Sequence, residues 1–274
     1  MKIKVVYLLI GLMFMVSFLP LAQAEKKPEH EETVPKQTTI TVPDSVMNIA
    51  KENTFPNTTN DMPRLEPSEL TKELIDTSKT KIENPELIRM LNETTVNSTP
   101  FALGYKAIVY LGQWPLNYES VETAPNWEYQ KVNTNYYDNR SGTGAYKIHY
   151  VQEAQKIVRG GLTAKVANAD QVKDMMLMKA MQKSNLPLAF ETIIGAGTKK
   201  DQVYNVNPKM LGYLHGYAPA INEKGKVTYG EVYLMLKGRK RSILVKNVTT
   251  QGISAWIPIQ DHVTFKFSAS EQPQ

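Results

Sequence analysis

The chain is predicted to fold as an α+β body: mainly antiparallel sheet, with a few short helices and one longer helix at about 170–183. Three observations lead there. From about Pro100 onward, apolar side chains recur with a period of two in several separate stretches, which is the signature of strands. Helical spacing with start signals is confined to short segments after Ser68 and Asn84 and to Asp170–Lys183. No internal repeat is present, and the expected architecture is antiparallel strands with a few helices packed on one face.

The first element is a targeting segment. Lys2 and Lys4 precede an apolar run from Val5 to Leu19, then Pro20, then Ala22-Gln23-Ala24. A basic start, a short apolar stretch, a helix breaker and small residues predict a secretory signal peptide cleaved after Ala24. The run is short for a bilayer span, which takes ~20 apolar residues, and no later segment is apolar for long enough, so no membrane span is expected once it is removed. The localisation expected is secreted or extracytoplasmic. The chain has no Cys, which excludes disulfides, a catalytic thiol and thiolate metal sites, and fits bacterial export. Without Lys2 and Lys4 the formal charge falls from +5 to +3, too weak to argue for nucleic acid.

Residues 25–42 are polar, with mixed charges and no apolar period, and are predicted to form a disordered tether. Residues 43–274 are predicted to be one domain. It opens with an irregular, Pro-broken arm to Pro67. Ser68 ahead of Leu70, Leu74 and Ile75 predicts a helix, and Asn84-Pro85-Glu86 predicts a second: an Asn cap, Pro in the first helical position and an acid in the first turn. Tyr105, Ala107, Val109 and Leu111 alternate with Lys106, Ile108 and Tyr110, predicting a strand covered on both faces. Glu128–Tyr137 and Ala145–Gln152 read as two strands joined by the turn-rich Asp138–Gly144, and a further strand at 156–166 bends at Gly160-Gly161. In Asp170–Lys183 apolar residues lie on both sides, so this helix is expected to be covered twice. Leu188–Ile194, a hairpin of Val227–Leu236 and Ser242–Val248 around Lys237–Arg241, and Ala255–Ile259 with Val263–Phe267 complete the strands. In the last, Val263, Phe265 and Phe267 should point in and Thr264 and Lys266 out.

The catalytic inventory is thin. No His-Glu-x-x-His, Gly-x-Ser-x-Gly or P-loop occurs. Of the four His, only His215, between Tyr213 and Tyr217 on one strand face, invites inspection, and no ligand or triad partner sits at a telling spacing. Glu119, Glu122, Glu128 and Asp138 are the acids to consider for glycoside hydrolysis, although acids in loops are ordinarily just solvated. The methionines Met175, Met176, Met178 and Met181 read as core packing rather than a thioether metal site. No cofactor or metal is expected.

The most unusual feature is aromatic density between Tyr105 and Tyr150. Flat apolar rings with polar rims stack on sugars, and the candidate binding residues are Trp114, Tyr118, Trp127, Tyr136, Tyr137 and His215; the competing reading is that such rings simply fill strand faces. Lys237, Arg239, Lys240 and Arg241 form a tight turn and a candidate anion contact.

Several stretches carry a resemblance: Ser45–Thr54, Tyr110-Leu111-Gly112-Gln113-Trp114-Pro115 and on to Ser120, Tyr136-Tyr137-Asp138-Asn139-Arg140, Asn222–Tyr233 and Gly252–Pro258. In these the chain is similar to the YfkD-like proteins of Bacillus and its relatives, from about Pro43 to Gln274. The resemblance implies an exported protein of a Gram-positive bacterium with one domain. It implies no activity and brings no functional residues. The reading that results is a non-catalytic cell-envelope protein whose partner is a wall polymer or an envelope protein. The alternatives are a wall-polymer hydrolase with paired carboxylates and an extracellular protein-interaction scaffold.

Overall fold

The computed structural model describes residues 40–58, 66–94, 104 and 106–273; the predicted signal segment and most of the tether lie outside them, as does Tyr105. In chain order the elements are β1 (Val46–Asn48), α1 (Glu69–Asp76), α2 (Pro85–Glu93), β2 (Lys106–Asp138), β3 (Tyr146–Val151), β4 (Lys156–Arg159), β5 (Gly161–Leu162), α3 (Ala169–Ser184), β6 (Glu191–Ile194), β7 (Lys199–Val206), β8 (Leu211–Lys237), β9 (Lys240–Pro258) and β10 (His262–Ser270). The described chain is mostly antiparallel sheet with three short helices, so mostly-β describes it better than an even α+β mixture.

β8 is the axis. Its 27 residues could reach about 90 Å at ~3.3 Å per residue. One edge pairs with β2 from end to end; the other pairs first with β10 and then with β9. β1 extends the sheet beyond β10, and β5 extends it beyond β9. The result is a long ribbon about three strands wide.

β2 is 33 residues long where the sequence predicts two strands separated by a Gly-, Pro- and Asn-bearing stretch. The structure absorbs those breakers as five register shifts against β8. Pro115 and Pro125 are tolerated because, among the described residues, no strand pairs with the outer edge of β2, so a missing N–H there costs no ladder bond. The same bulges and prolines blunt a long open edge against pairing with another chain.

Three apolar clusters lie along β8. At the end carrying the β8–β9 turn, Val232, Leu234 and Ile243 pack under α1 and α2 through Leu74, Leu87 and Leu91. In the middle, Ile221, Val227, Ala255 and Ile257 receive α3 through Val172, Met175, Met176 and Ala180. At the far end, Leu214, Ala218, Val263 and Phe265 pack with Ile148, Val158, Ile194 and Val206 of two small two-stranded sheets, β3–β7 and β4–β6.

Both predicted helix caps form. Ser68 Oγ accepts from Thr71 N at 3.2 Å, and Asn84 Oδ1 accepts from Glu86 N at 2.9 Å and Leu87 N at 3.3 Å. α3 is covered on a second side by the approach to α2, where Lys179 meets Glu83 at 3.1 Å and Gln171 accepts from Asn84 at 2.9 Å. The N-terminal arm is anchored by Asn53 and Asn57, whose amides donate to both Ile193 O and Asp261 Oδ1 at 2.7–2.9 Å.

Three expectations are corrected. β2 and β3 are not a paired hairpin: β2 pairs with β8 and β3 with β7, and the two meet through the Asn133 and Asn135 side chains on Val151. Thr264 is buried rather than outward, because its hydroxyl donates to Trp127 O at 2.6 Å. The start of β2 is not covered on both faces: Ile108 is 60% exposed and Tyr110 55%.

Candidate binding face

The end of β8 that pairs with β10 alternates small and large side chains. Gly212, Leu214, Gly216 and Ala218 point inward; Tyr213, His215 and Tyr217 point to the open face. The small inward residues allow the second layer to come close. A Cβ on Gly216 would sit 2.7 Å from the Tyr150 ring, and one on Gly212 would sit 2.2 Å from Val206. A side chain at either position would push β3 and β7 away and open the far-end cluster.

The outward residues form a stripe. Tyr136 of β2 lies 5.1 Å from Tyr213, centroid to centroid; Tyr213 lies 6.1 Å from His215 and nearly parallel to it; His215 lies 6.3 Å from Tyr217. Thr134 Oγ1 is 3.0 Å from His215 Nδ1. Lys131 Nζ stands 5.7 Å over the Tyr217 ring, and Lys266 is held by Glu128 at 3.1 Å. Partial burial, then the charges of Lys131 and Lys266, push the His215 pKa below the ordinary imidazole value, so the ring is neutral at neutral pH. At the Tyr136 end, Arg140 binds Asp138 through two nitrogens, at 2.8 and 3.1 Å, and this pair holds the Asp138 carboxyl down at about 2. Ser268, opposite Tyr213 on β10, has a buried hydroxyl with no hydrogen-bond partner among the described residues. The arrangement is a row of four rings, one of them the neutral imidazole, with two lysines at its margin; Tyr136 is tilted 42° to Tyr213 and Tyr217 stands at 66° to His215, so the row offers several ring faces for stacking and polar groups for hydrogen bonding.

Of the residues singled out in the sequence, Tyr136 and His215 meet here. The others do not join them. Tyr137 lies on the opposite side of the sheet, stacked on Tyr146 at 3.4 Å. Trp127 packs against the α3 cluster. Trp114 is half-buried by the α1/α2 cluster, its Nε1 donating to Leu111 O at 2.8 Å. Lys237, Arg239, Lys240 and Arg241 sit at the other end of β8, around the turn into β9. Three of the four acids considered for hydrolysis are spent on surface ion pairs strung along β2, Glu122 with Lys224 at 2.9 Å, Glu128 with Lys266 and Asp138 with Arg140, and Glu119 is exposed on the same strand. Tyr213, Tyr217, Lys131 and Lys266 were not counted as site residues. The Tyr-x-His-x-Tyr alternation was the available signal for the first two; the lysines arrive from other strands.

Tyr118 is fully buried and offers no face to a ligand. It serves Glu223, the one fully buried acid among the described residues, donating to Oε1 at 3.0 Å while Thr123 donates to Oε2 at 2.6 Å. Burial outweighs the hydroxyls and nearby Lys183 and raises the Glu223 pKa above the ordinary value of 4.5. The folded state therefore holds this proton more tightly than the unfolded chain does. The stabilisation is complete below about pH 4.5 and is lost as pH rises through the raised value. Glu223→Gln removes this slope, so the melting temperature of the variant relative to the parent should climb from pH 4 to about pH 8. A constant offset across that range would show that Glu223 is charged at no stability cost.

A family model described as "YfkD-like protein" matches residues 43–274. The "Uncharacterized protein YfkD" of Bacillus subtilis (strain 168) is 64% identical over 233 residues, covering 85% of this chain and 88% of that relative. Among solved structures, an aerolysin-like protein from Bombina maxima overlaps 61% of this chain and 99% of its own, at a TM-score of 0.14 and 8% identity; similarity at that level carries no argument.

Proposed function

Starting from a chain that belongs to the YfkD-like family, we propose that it is an exported, non-catalytic cell-envelope protein that binds a wall polysaccharide on the open face of its ribbon. Export is supported by the basic start, apolar run and small-residue pattern of residues 1–24. Detection of the full-length, unprocessed chain in the soluble cytosol would overturn it.

The observation that carries the binding role is the Tyr136–Tyr213–His215–Tyr217 stripe. Sugar rings present flat C–H faces that pack on aromatic rings, and successive rings along a strand match a repeating polymer. The neutral imidazole and the lysine rim supply the hydrogen bonds. Cosedimentation with purified cell wall measures it. The double variant Tyr213→Ala/Tyr217→Ala should bind about 30-fold more weakly, at ~1 kcal/mol per lost ring. Trp114→Ala, at the other end of the ribbon, should bind as the parent does. Equal binding by the double variant and the parent would refute the stripe as the polymer site.

A further inference from the structure

The opposite end of the ribbon presents a second surface with different chemistry. Lys106 opens β2 and pairs with Lys237, which pairs across the turn with Lys240; Gly238 (φ 58°) and Arg239 make the turn. Leu234, Val232 and Ile243 turn to α1 and α2, so the alternate residues turn away from them. Those alternate residues make two consecutive rungs, Ile108–Met235–Ser242 and Tyr110–Tyr233–Leu244. Ile108 and Tyr110 are the two most exposed of these, and Met235, Tyr233 and Leu244 are half-exposed; Val109, paired with Leu234, is on the other face. Tyr110 and Tyr233 pack at 5.1 Å, and Lys246 Nζ stands 5.2 Å from the Tyr233 ring.

The charge here has one sign. No acid occurs from Lys106 to Tyr118 or from Val232 to Gln251. Glu231, just before the second stretch, is engaged by the Tyr233 hydroxyl at 2.7 Å. α1, with Asp76, lies on the inner face, where Thr77 Oγ1 receives the Ile243 amide. Arg241, paired with Leu236, turns to that same inner face.

We propose that this end docks on the surface of a bilayer containing anionic lipid. Lys106, Lys237, Arg239 and Lys240 meet the headgroups, while Ile108, Tyr110, Met235 and Leu244 settle at the boundary between headgroups and acyl chains. Bases in this position attract anionic lipid, and an aromatic–aliphatic patch beside them supplies the apolar half of interfacial binding. Exposed Ile, Met and Leu have no counterpart in a sugar polymer, which is why the partner is lipid rather than wall polysaccharide. The contact is peripheral: among the described residues no helix is long and apolar enough to cross a membrane. It is independent of the aromatic stripe.

Because the chain has no Cys, a single introduced thiol reports one place. An environment-sensitive fluorophore on the full chain at Ser242→Cys should shift to the blue with vesicles of phosphatidylcholine and phosphatidylglycerol and not with phosphatidylcholine alone. One at Asp201→Cys, on β7 at the other end, should not shift. Neutralising three bases, Lys237→Ser/Arg239→Ser/Lys240→Ser, should weaken the Ser242→Cys response on the order of a hundredfold, from about 1 kcal/mol per base. No shift at Ser242→Cys, an equal shift at Asp201→Cys, or an equal shift with neutral vesicles overturns the proposal. A shift with purified wall polymer but not with vesicles overturns it too, and reassigns the surface to polysaccharide.

Discussion

Gly225→Ala is expected to be among the most damaging single methyl additions in the domain. Gly225 lies in the middle of β8, opposite Ser120 of β2. A Cβ there would sit 2.2 Å from the Glu119 carbonyl oxygen, 2.5 Å from the Tyr118 hydroxyl and 2.6 Å from Tyr118 Cζ. The first of these atoms is backbone held in the sheet and cannot move aside cheaply. The second and third belong to a ring with 1% exposure, enclosed by the α3 cluster. Relief means separating β2 from β8 or expelling the Tyr118 ring. Expulsion also strips a donor from Glu223, leaving a buried carboxylate short of a hydrogen bond. Overpacking costs ~1–3 kcal/mol and the lost bond to a buried charge adds a comparable amount, so the loss should be at least about 3 kcal/mol in urea unfolding. Gly252→Ala is the matched control in neighbouring β9: nothing lies within 4 Å of its Cβ, and it should be close to neutral. Similar midpoints for the two variants would mean that the ribbon gives at Gly225 and that the Tyr118–Glu223 contact is dispensable.

Asn84→Ala should be next in size, because one side chain ties three elements. Its Oδ1 caps α2, and its amide donates to Pro115 O of β2 at 2.6 Å and to Gln171 Oε1 of α3 at 2.9 Å. The residue is fully buried, so no water replaces these partners. Losing a cap costs ~1 kcal/mol, and orphaning the buried Pro115 carbonyl and the half-buried Gln171 amide oxygen costs ~1–3 kcal/mol more. For a domain of this size that corresponds to a drop of roughly 5–15 °C in melting temperature. Asn84→Asp separates the two roles: it keeps the cap acceptor and loses the donors, so it should recover only the cap fraction. Full recovery with Asp would show that the bonds to Pro115 and Gln171 contribute nothing.

How much of this was readable beforehand differs by element. Ser68 and Asn84-Pro85-Glu86 were readable because a cap is a contract between neighbours three residues apart. The β8–β9 turn was readable for the same reason: Gly238 takes the positive φ among five consecutive residues flanked by alternating strands. β2 was not. Gly112, Pro115, Pro125 and Asn126 are good turn residues, and only continuous pairing to β8 turns them into bulges within one strand.

The candidate site divides along the same line. His215 between two tyrosines was visible as a strand-face pattern. Its meeting with Tyr136 was not, because that depends on the register of β2 against β8 about eighty residues away in sequence. Trp114, Tyr118, Trp127 and Tyr137 look equivalent to Tyr136 as letters. They differ in what lies over them: α1 and α2, the Glu223 pocket, α3, and Tyr146.

By itself, then, the sequence determined the period of several segments, the helix starts, the main turn, the lack of thiols and the local sign of charge. Those properties follow from backbone sterics and nearest-neighbour hydrogen bonds, which act over a few residues. Tertiary structure alone decided which face of each strand is covered and which stays open. Burial is settled by whichever layer packs against a given rung, and that layer comes from elsewhere in the chain.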